Sequence, residues 1–235
     1  MDYLLRDAYH AGVSYGRYDM DRVLATVELC IDPTDGTVQM GISDGGVHAV
    51  EGLLLSRYMM FTQLYFHKTR VIYDYHLVEC LRELLAPSSS VFSPPTPAGI
   101  KDFLEWHDWR VLGAISSGQG GEHGEILIDR NHYRLVHETP EIPTQEDLER
   151  LQDYKGILDH LDCVRLSADK SWYKTGPSEI LVIPDRWHHG EQPIPLSQRS
   201  AVLAGLASIA QQRLYVPATK REQAMLLIKT RGQGK

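Results

Sequence analysis

Arg57, Phe61, Tyr65 and Lys68 succeed one another at helical spacing, which brings two cations and two aromatic rings onto one stripe of an otherwise apolar segment, with His67 beside Lys68. Side chains three and four residues apart share a helix face. Two arrangements satisfy that pattern: the long cationic side chains run out of a bundle to water, or they turn into a cleft that holds an anion. A second cluster, Asp2, Tyr3, Arg6 and Asp7, sets two carboxylates and a guanidinium round a tyrosine. Its plain reading is a surface ion pair between Asp2 and Arg6 with Asp7 as a helix-start carboxylate; its functional reading requires a phosphate or a metal nearby.

Two further groups resemble metal ligands in type but not in spacing. Trp106, His107, Asp108 and Trp109 contain a His-Asp dipeptide without a second histidine at long range, so a loop or capping role is expected. His188, His189 and Glu191 offer donors, yet adjacent histidines on a loop point in different directions. Cys30, Cys80 and Cys163 are far apart and in apolar surroundings, and read as reduced core residues. No residue of the chain is assigned to catalysis or to a metal.

These groups must be positioned by helices first and by mixed structure afterwards. Residues 2–10 predict a short helix stopped near Gly12, and Asp21 to Ile31 a second one that Asp19 or Asp21 can cap. Val38, Met40 and Ile42 alternate ahead of Asp44, Gly45 and Gly46, which predicts a β-hairpin near 38–46. From Val47 to Leu85 the periodicity is helical; Leu53, Leu54, Leu55, Met59, Met60 and Leu64 make the first half too apolar for a solvated helix, and a bend is expected near Thr69. The Pro- and Ser-rich stretch 86–99 ends that segment, and WHDWRVLGAI and EHGEILIDR predict short helices beyond it.

From Tyr133 the texture alternates between strands and helices. YRLVHET, a helix from Thr144 to His160 with Thr144 and Asp147 as a capping box, CVRLS, EILVIPD, a helix from Ser197 to Ala210, and RLYVP follow in the order β-α-β-β-α-β, that of a ferredoxin-like arrangement, before a terminal KREQAMLLIKTR. The expected fold is mainly α: a helical bundle segment over residues 1–130 and a small α+β subdomain over 131–235.

Composition narrows the function classes. Of 235 residues, 43% are apolar, enough for a substantial core, and 24 Lys plus Arg against 31 Asp plus Glu leave a formal net charge of -7, which argues against general nucleic-acid or anionic-membrane binding. No apolar run approaches the roughly 20 residues of a membrane span, and the first residues lack a signal-peptide build. A cytoplasmic, non-membrane protein is expected.

A family resemblance adds to this reading. DYLLRD (residues 2–7), AYHAGVSYGRYDMDRVL and VHAVEGLLLSRYMMFTQLYFHKT resemble bacterial HD-domain phosphohydrolases related to deoxynucleoside triphosphate triphosphohydrolases, continuously from Met1 through Leu85, and HYRLVHET, PLSQRS and RLYVP are similar to that family's C-terminal region. The resemblance implies that Tyr3 packs against a nucleotide sugar, that Asp7 bonds its 3′ hydroxyl, and that Arg57 and Lys68 are phosphate or structural contacts near the same cleft. Tyr65 and His67 match the tyrosine and histidine before that lysine. Phe61 stands where some relatives carry a histidine near the phosphates.

In that family a histidine, a histidine–aspartate pair and a distant aspartate bind the metal, and Met1, Asp2 and Tyr3 match the phrase that follows the last of them. The resemblance therefore implies that all four ligands precede Met1. Magnesium or manganese would serve full-length relatives, and no cofactor is expected for this chain alone. The expectation is a fragment or truncated member of a metal-dependent nucleotide phosphohydrolase family, inactive by itself; the alternative is a nucleotide-binding, oligomerisation or regulatory module. Expected partners are a nucleotide or phosphorylated small molecule and further copies of the chain.

Overall fold

A computed structural model describes residues 2–86, 92–170, 179–185, 191–205 and 207–233. In chain order the elements are helix α1 (Asp2–Ala11), α2 (Met20–Thr26), strands β1 (Val27–Ile31) and β2 (Val38–Ser43), α3 (Val47–Met60), a π turn (Phe61–Tyr65) and α4 (Lys68–Leu85). There follow α5 (Ile100–Glu105), α6 (Asp108–Ser116), α7 (Gly121–Asp129), β3 (Arg134–Glu138), α8 (Gln145–Leu158), β4 (Val164–Lys170), β5 (Leu181–Ile183), β6 (Ile194–Pro195), α9 (Leu196–Arg199), α10 (Ala201–Ala204), β7 (Ile209–Val216) and α11 (Arg221–Gln233). The fold is mainly helical with a small β component toward the C-terminus. None of the described helices is long and apolar enough to cross a membrane.

The expected division at 130/131 follows the change in texture along the chain, whereas the compact units are interleaved: residues 1–66 with 169–210, and residues 67–168 with 211–235. In the first unit, Asp19 caps α2 by accepting from the Arg22 N–H at 2.9 Å. The helix predicted over Asp21–Ile31 stops at Thr26, and Val27–Ile31 becomes a strand instead. It pairs antiparallel with β2, Leu29 opposite Met40 and Ile31 opposite Val38. The hairpin therefore turns at 32–37, and Asp44–Gly46, expected as its tip, form a 3₁₀ turn that leads into α3. Val27, Leu29 and Ile31 are exposed and Cys30 is buried, so pairing with β2, rather than burial of an apolar face, makes this segment a strand.

β2 also pairs in parallel with β5, Gly41 opposite Leu181, so the sheet runs β1-β2-β5-β6. The core beneath it joins Val23, Ile42, Val47, Val50, Leu54, Val182, Leu196 and Leu203. The central role of α3 rests on Val50, Leu54 and Met60; Met59, expected inside, is exposed.

In the second unit a three-stranded sheet of order β3-β7-β4 is covered by α8 and α11, with Val136, Leu151, Leu158, Leu161, Leu214, Val216 and Ala224 between the layers. Three of the four strands of the ferredoxin-like arrangement form this sheet; the fourth, β5, belongs to the other one. The helix expected over Ser197–Ala210 is replaced by two short ones, α9 and α10, and β7 already begins at Ile209. The Thr144 capping box at α8 forms as predicted: Thr144 accepts from the Asp147 N–H, and Asp147 accepts from the Thr144 N–H.

Candidate nucleotide-recognition site

In the first unit, Leu4 and Ala8 lie one helical turn apart on the inner stripe of α1 and pack on Met60 of α3. Gly16 lets the following loop pass this contact, because a Cβ there would meet Ala8 Cβ at 2.6 Å and Met60 Sδ at 2.7 Å. Tyr3 and Asp7 each precede an inner residue by one position and so occupy the adjacent stripe. There they meet α3 and the π turn. Arg57 donates from Nη1 to the Tyr3 hydroxyl at 2.6 Å, and the Tyr65 hydroxyl donates to Asp7 Oδ2 at 2.6 Å.

Aromatic contacts hold the same groups in line. The Arg57 guanidinium lies 4.9 Å from the centre of the Phe61 ring, Phe61 meets Tyr65 edge-on at 5.0 Å, and Tyr3 and Tyr65 lie 6.2 Å apart. Tyr3, Asp7, Arg57 and Tyr65 are all half-buried. Four of the six residues singled out in the sequence thus converge, and the cluster presents a carboxylate acceptor, a fork of guanidinium donors and aromatic faces. Asp2 and Arg6 form the exposed ion pair of the plain reading, at 3.3 Å.

His67 and Lys68 belong to the second unit, and the four-residue spacing that appeared to carry Lys68 onto the same stripe breaks on the way. In the π turn the Phe66 N–H bonds to the Phe61 carbonyl at 2.7 Å, five residues back, which adds a residue to the turn. His67 then leaves helical geometry and caps α4, its Nδ1 accepting from the Thr69 N–H at 3.3 Å. Lys68 is consequently the first residue of a new helix.

At that position Lys68 lines a cavity of about 330 Å³ together with His132, Tyr133, Arg134, Tyr215 and Arg221. The wholly buried Tyr215 fixes the start of α4 by donating its hydroxyl to the Lys68 carbonyl at 2.9 Å, and burial pushes its phenol up to about 12. Arg134 is steered by donating Nη1 to the His132 carbonyl at 2.9 Å. Three permanent cations line the cavity, its described lining contains no carboxylate, and the first residues of two helices, α4 and α11, open onto it. The Thr69 N–H is taken by His67 and the Arg221 N–H by the Ala218 carbonyl, so the positive character of the cavity comes from the three side chains. Sequence reading missed Arg134 and Arg221 because they come from separate segments and carry no local signature.

The remaining candidates resolve simply. His107 caps α6, accepting from the Arg110 N–H at 3.2 Å, as the capping reading expects. His188 and His189 lie outside the described residues. Among the described residues, no three His, Cys, Asp or Glu side chains gather as a metal-binding group. The three cysteines are free and buried, and burial holds the Cys163 thiol up at about 11.

Comparison with known proteins agrees with this architecture. A family model described as the HD associated region matches residues 19–93. Over 67 residues the chain is 49% identical to the uncharacterized protein YwfO of Bacillus subtilis, which covers 28% of this chain and 14% of that protein. It is 42% identical over 74 residues to the uncharacterized protein MJ1154 of Methanocaldococcus jannaschii, covering 32% and 16% respectively. A hypothetical protein from Aquifex aeolicus superposes on 96% of this chain with a TM-score of 0.77 and 29% identity, and the match spans 55% of that chain. A phosphohydrolase from Bacteroides thetaiotaomicron shares the fold over 92% of this chain, with a TM-score of 0.60 and 20% identity, spanning 60% of its own length. Residues 19–93 thus resemble the HD associated region, the fold is shared with the two solved structures, and the chain spans less than two thirds of the length of each of these four proteins.

Proposed function

We propose that this chain recognises a deoxynucleotide as part of a metal-dependent phosphohydrolase-type protein, and that alone it binds without turning over. The carrying observation is the cavity at the start of α4, where Lys68, Arg134 and Arg221 come together and the described lining contains no carboxylate. A cavity of about 330 Å³ is at the small end of ligand sites and suits a phosphate-bearing group. Within the first unit, and taken by itself, the cluster of Tyr3, Asp7, Arg57 and Tyr65 offers chemistry suited to a nucleoside, a carboxylate for a sugar hydroxyl and aromatic faces for a ring. Hydrolysis needs a nucleophilic water made acidic by a metal, and the described side chains bring no set of ligands together for one.

Calorimetric titration with dATP, with deoxyadenosine and with inorganic tripolyphosphate separates these roles. Lys68→Glu is expected to weaken dATP and tripolyphosphate about tenfold or more, as loss of a charge-assisted contact does. Tyr3→Phe and Asp7→Asn are expected to weaken deoxyadenosine while sparing tripolyphosphate. Affinities unchanged by Lys68→Glu would overturn the phosphate assignment, and a purely structural Tyr3–Arg57 pair would lower stability in Tyr3→Phe without moving affinity. Incubation with manganese or magnesium and a panel of deoxynucleoside triphosphates is expected to release neither phosphate nor triphosphate; metal-dependent release would defeat the reading of binding without turnover.

A further inference from the structure

His76 lies on α4 between Ile72 and Cys80, each one turn away on the same buried stripe, and none of its surface is exposed. Its Nε2 accepts from the Tyr133 N–H at 3.1 Å, just before β3. A ring nitrogen that accepts carries no proton, so the neutral ring has its proton on Nδ1. That nitrogen faces Nδ1 of His123, on α7, at 2.8 Å. His123 must then accept at Nδ1 and carry its own proton on Nε2. One hydrogen-bond chain, Tyr133 N–H to His76 to His123, fixes both tautomers and joins three separate segments of the second unit.

We propose that the His76–His123 pair is an acid-sensitive latch, which ties α7 and the start of β3 to α4 while both rings are neutral and releases them when either ring takes a proton. The vacant nitrogen of His76 is the one that Tyr133 N–H points at, and the vacant nitrogen of His123 is the one that His76 N–H points at. A proton on either sets donor against donor. The surrounding groups offer no relief. Tyr75 on α4 stands 5.4 Å from His76 and 5.5 Å from His123, and Tyr133 stands 4.8 Å from His76. His132, ahead of β3, adds a further histidine, and Glu79 and Arg82 on α4 and Glu122 on α7 act on Tyr75. Among the described residues no carboxylate hydrogen-bonds either imidazole of the pair.

Burial, then His123 and His132, hold His76 down at about 4. The histidine of an opened or unfolded chain titrates near 6.5, so the open form takes the proton first as pH falls. The latch is therefore complete above about pH 6.5 and is lost progressively toward pH 4. Between pH 7.5 and 5.5 that linkage amounts to about a tenfold rise in the open population.

Hydrogen exchange over residues 121–129, corrected for the intrinsic pH dependence of exchange, is expected to accelerate about tenfold between pH 7.5 and 5.5. His76→Gln places an amide oxygen where Nε2 stands, so it can accept from Tyr133 without titrating, and its exchange should be flat over the same range. His123 remains in that variant but no longer faces the ring N–H of position 76, and His132 and His137, both also held low by burial, remain as well and cannot account for a difference. Equal protection at both pH values in the parent chain, or an equally acid-sensitive His76→Gln, overturns the latch. Nitrogen-15 spectra of the parent histidines test the geometry without a substitution: protons on His76 Nδ1 and His123 Nε2 are expected at pH 7.5, and the opposite tautomer at either ring overturns it.

Discussion

Leu54→Ala is expected to lower the unfolding free energy by about 2–5 kcal/mol, whereas Leu64→Ala, a few turns further along, should cost less than about 2 kcal/mol. Both residues sit in the apolar segment that begins at Val47, and their side chains are identical, so the difference isolates environment. Leu54 is 6% exposed and touches a core built from α2, β2, β5, α9 and α10, drawn from both ends of its unit's sequence. Truncation there removes the transfer free energy of three carbons and leaves a void that five rigid elements cannot collapse into. Leu64 belongs to the π turn, is half-buried, and packs only at the margin of the Leu4–Ala8–Met60 cluster. Water can fill the space its truncation leaves. Urea denaturation followed by far-ultraviolet circular dichroism measures both; equal midpoint shifts would show that α3 does not carry this core.

Much of this arrangement was legible in the residue pattern, and the failures have identifiable causes. Helical spacing alone aligns Tyr3 with Asp7 and Arg57 with Phe61 and Tyr65, and the structure pairs the two rows through hydrogen bonds of 2.6 Å. The same spacing fails at Lys68, because a single extra residue in the π turn and a capping histidine reset the phase, and nothing in FTQLYFHK announces either. Local pattern also assigns Val27–Ile31 to a helix, where pairing with β2 decides the outcome. The parallel pairing of β5 with β2 joins residues 41 and 181, and its only trace in the sequence is a glycine: a Cβ on Gly41 would meet the Leu181 carbonyl at 2.8 Å. The cationic cavity was least legible of all. Lys68, Arg134 and Arg221 are unremarkable singly, and only the β3-β7-β4 sheet and the helices that cover it bring them to one place.

Gly120→Ala is expected to destabilise the protein by about 2–4 kcal/mol, and Cys80→Ala in the same chain should return a large part of that loss. Gly120 precedes α7 with φ at 92°, a conformation that a residue with a Cβ adopts only under strain, and this costs on the order of 1–2 kcal/mol. The added methyl also collides with its surroundings, since a Cβ built there would lie 2.3 Å from Cys80 Sγ. Cys80 has no exposed surface, so its sulfur cannot swing away into solvent, and the helix pair α4–α7 must part or the side chain must take a poor rotamer. Cys80→Ala alone should cost about 1 kcal/mol by leaving a small cavity. In the double variant the alanine methyl at 120 occupies the space the sulfur vacated, while the backbone strain remains. The double variant should therefore be more stable than the sum of the two single losses predicts, by more than about 1 kcal/mol. Thermal and urea unfolding of the four proteins close the cycle. Strict additivity would mean that the thiol is not what Gly120 accommodates, and that the tight approach of α7 to α4 at this point is set by the backbone alone.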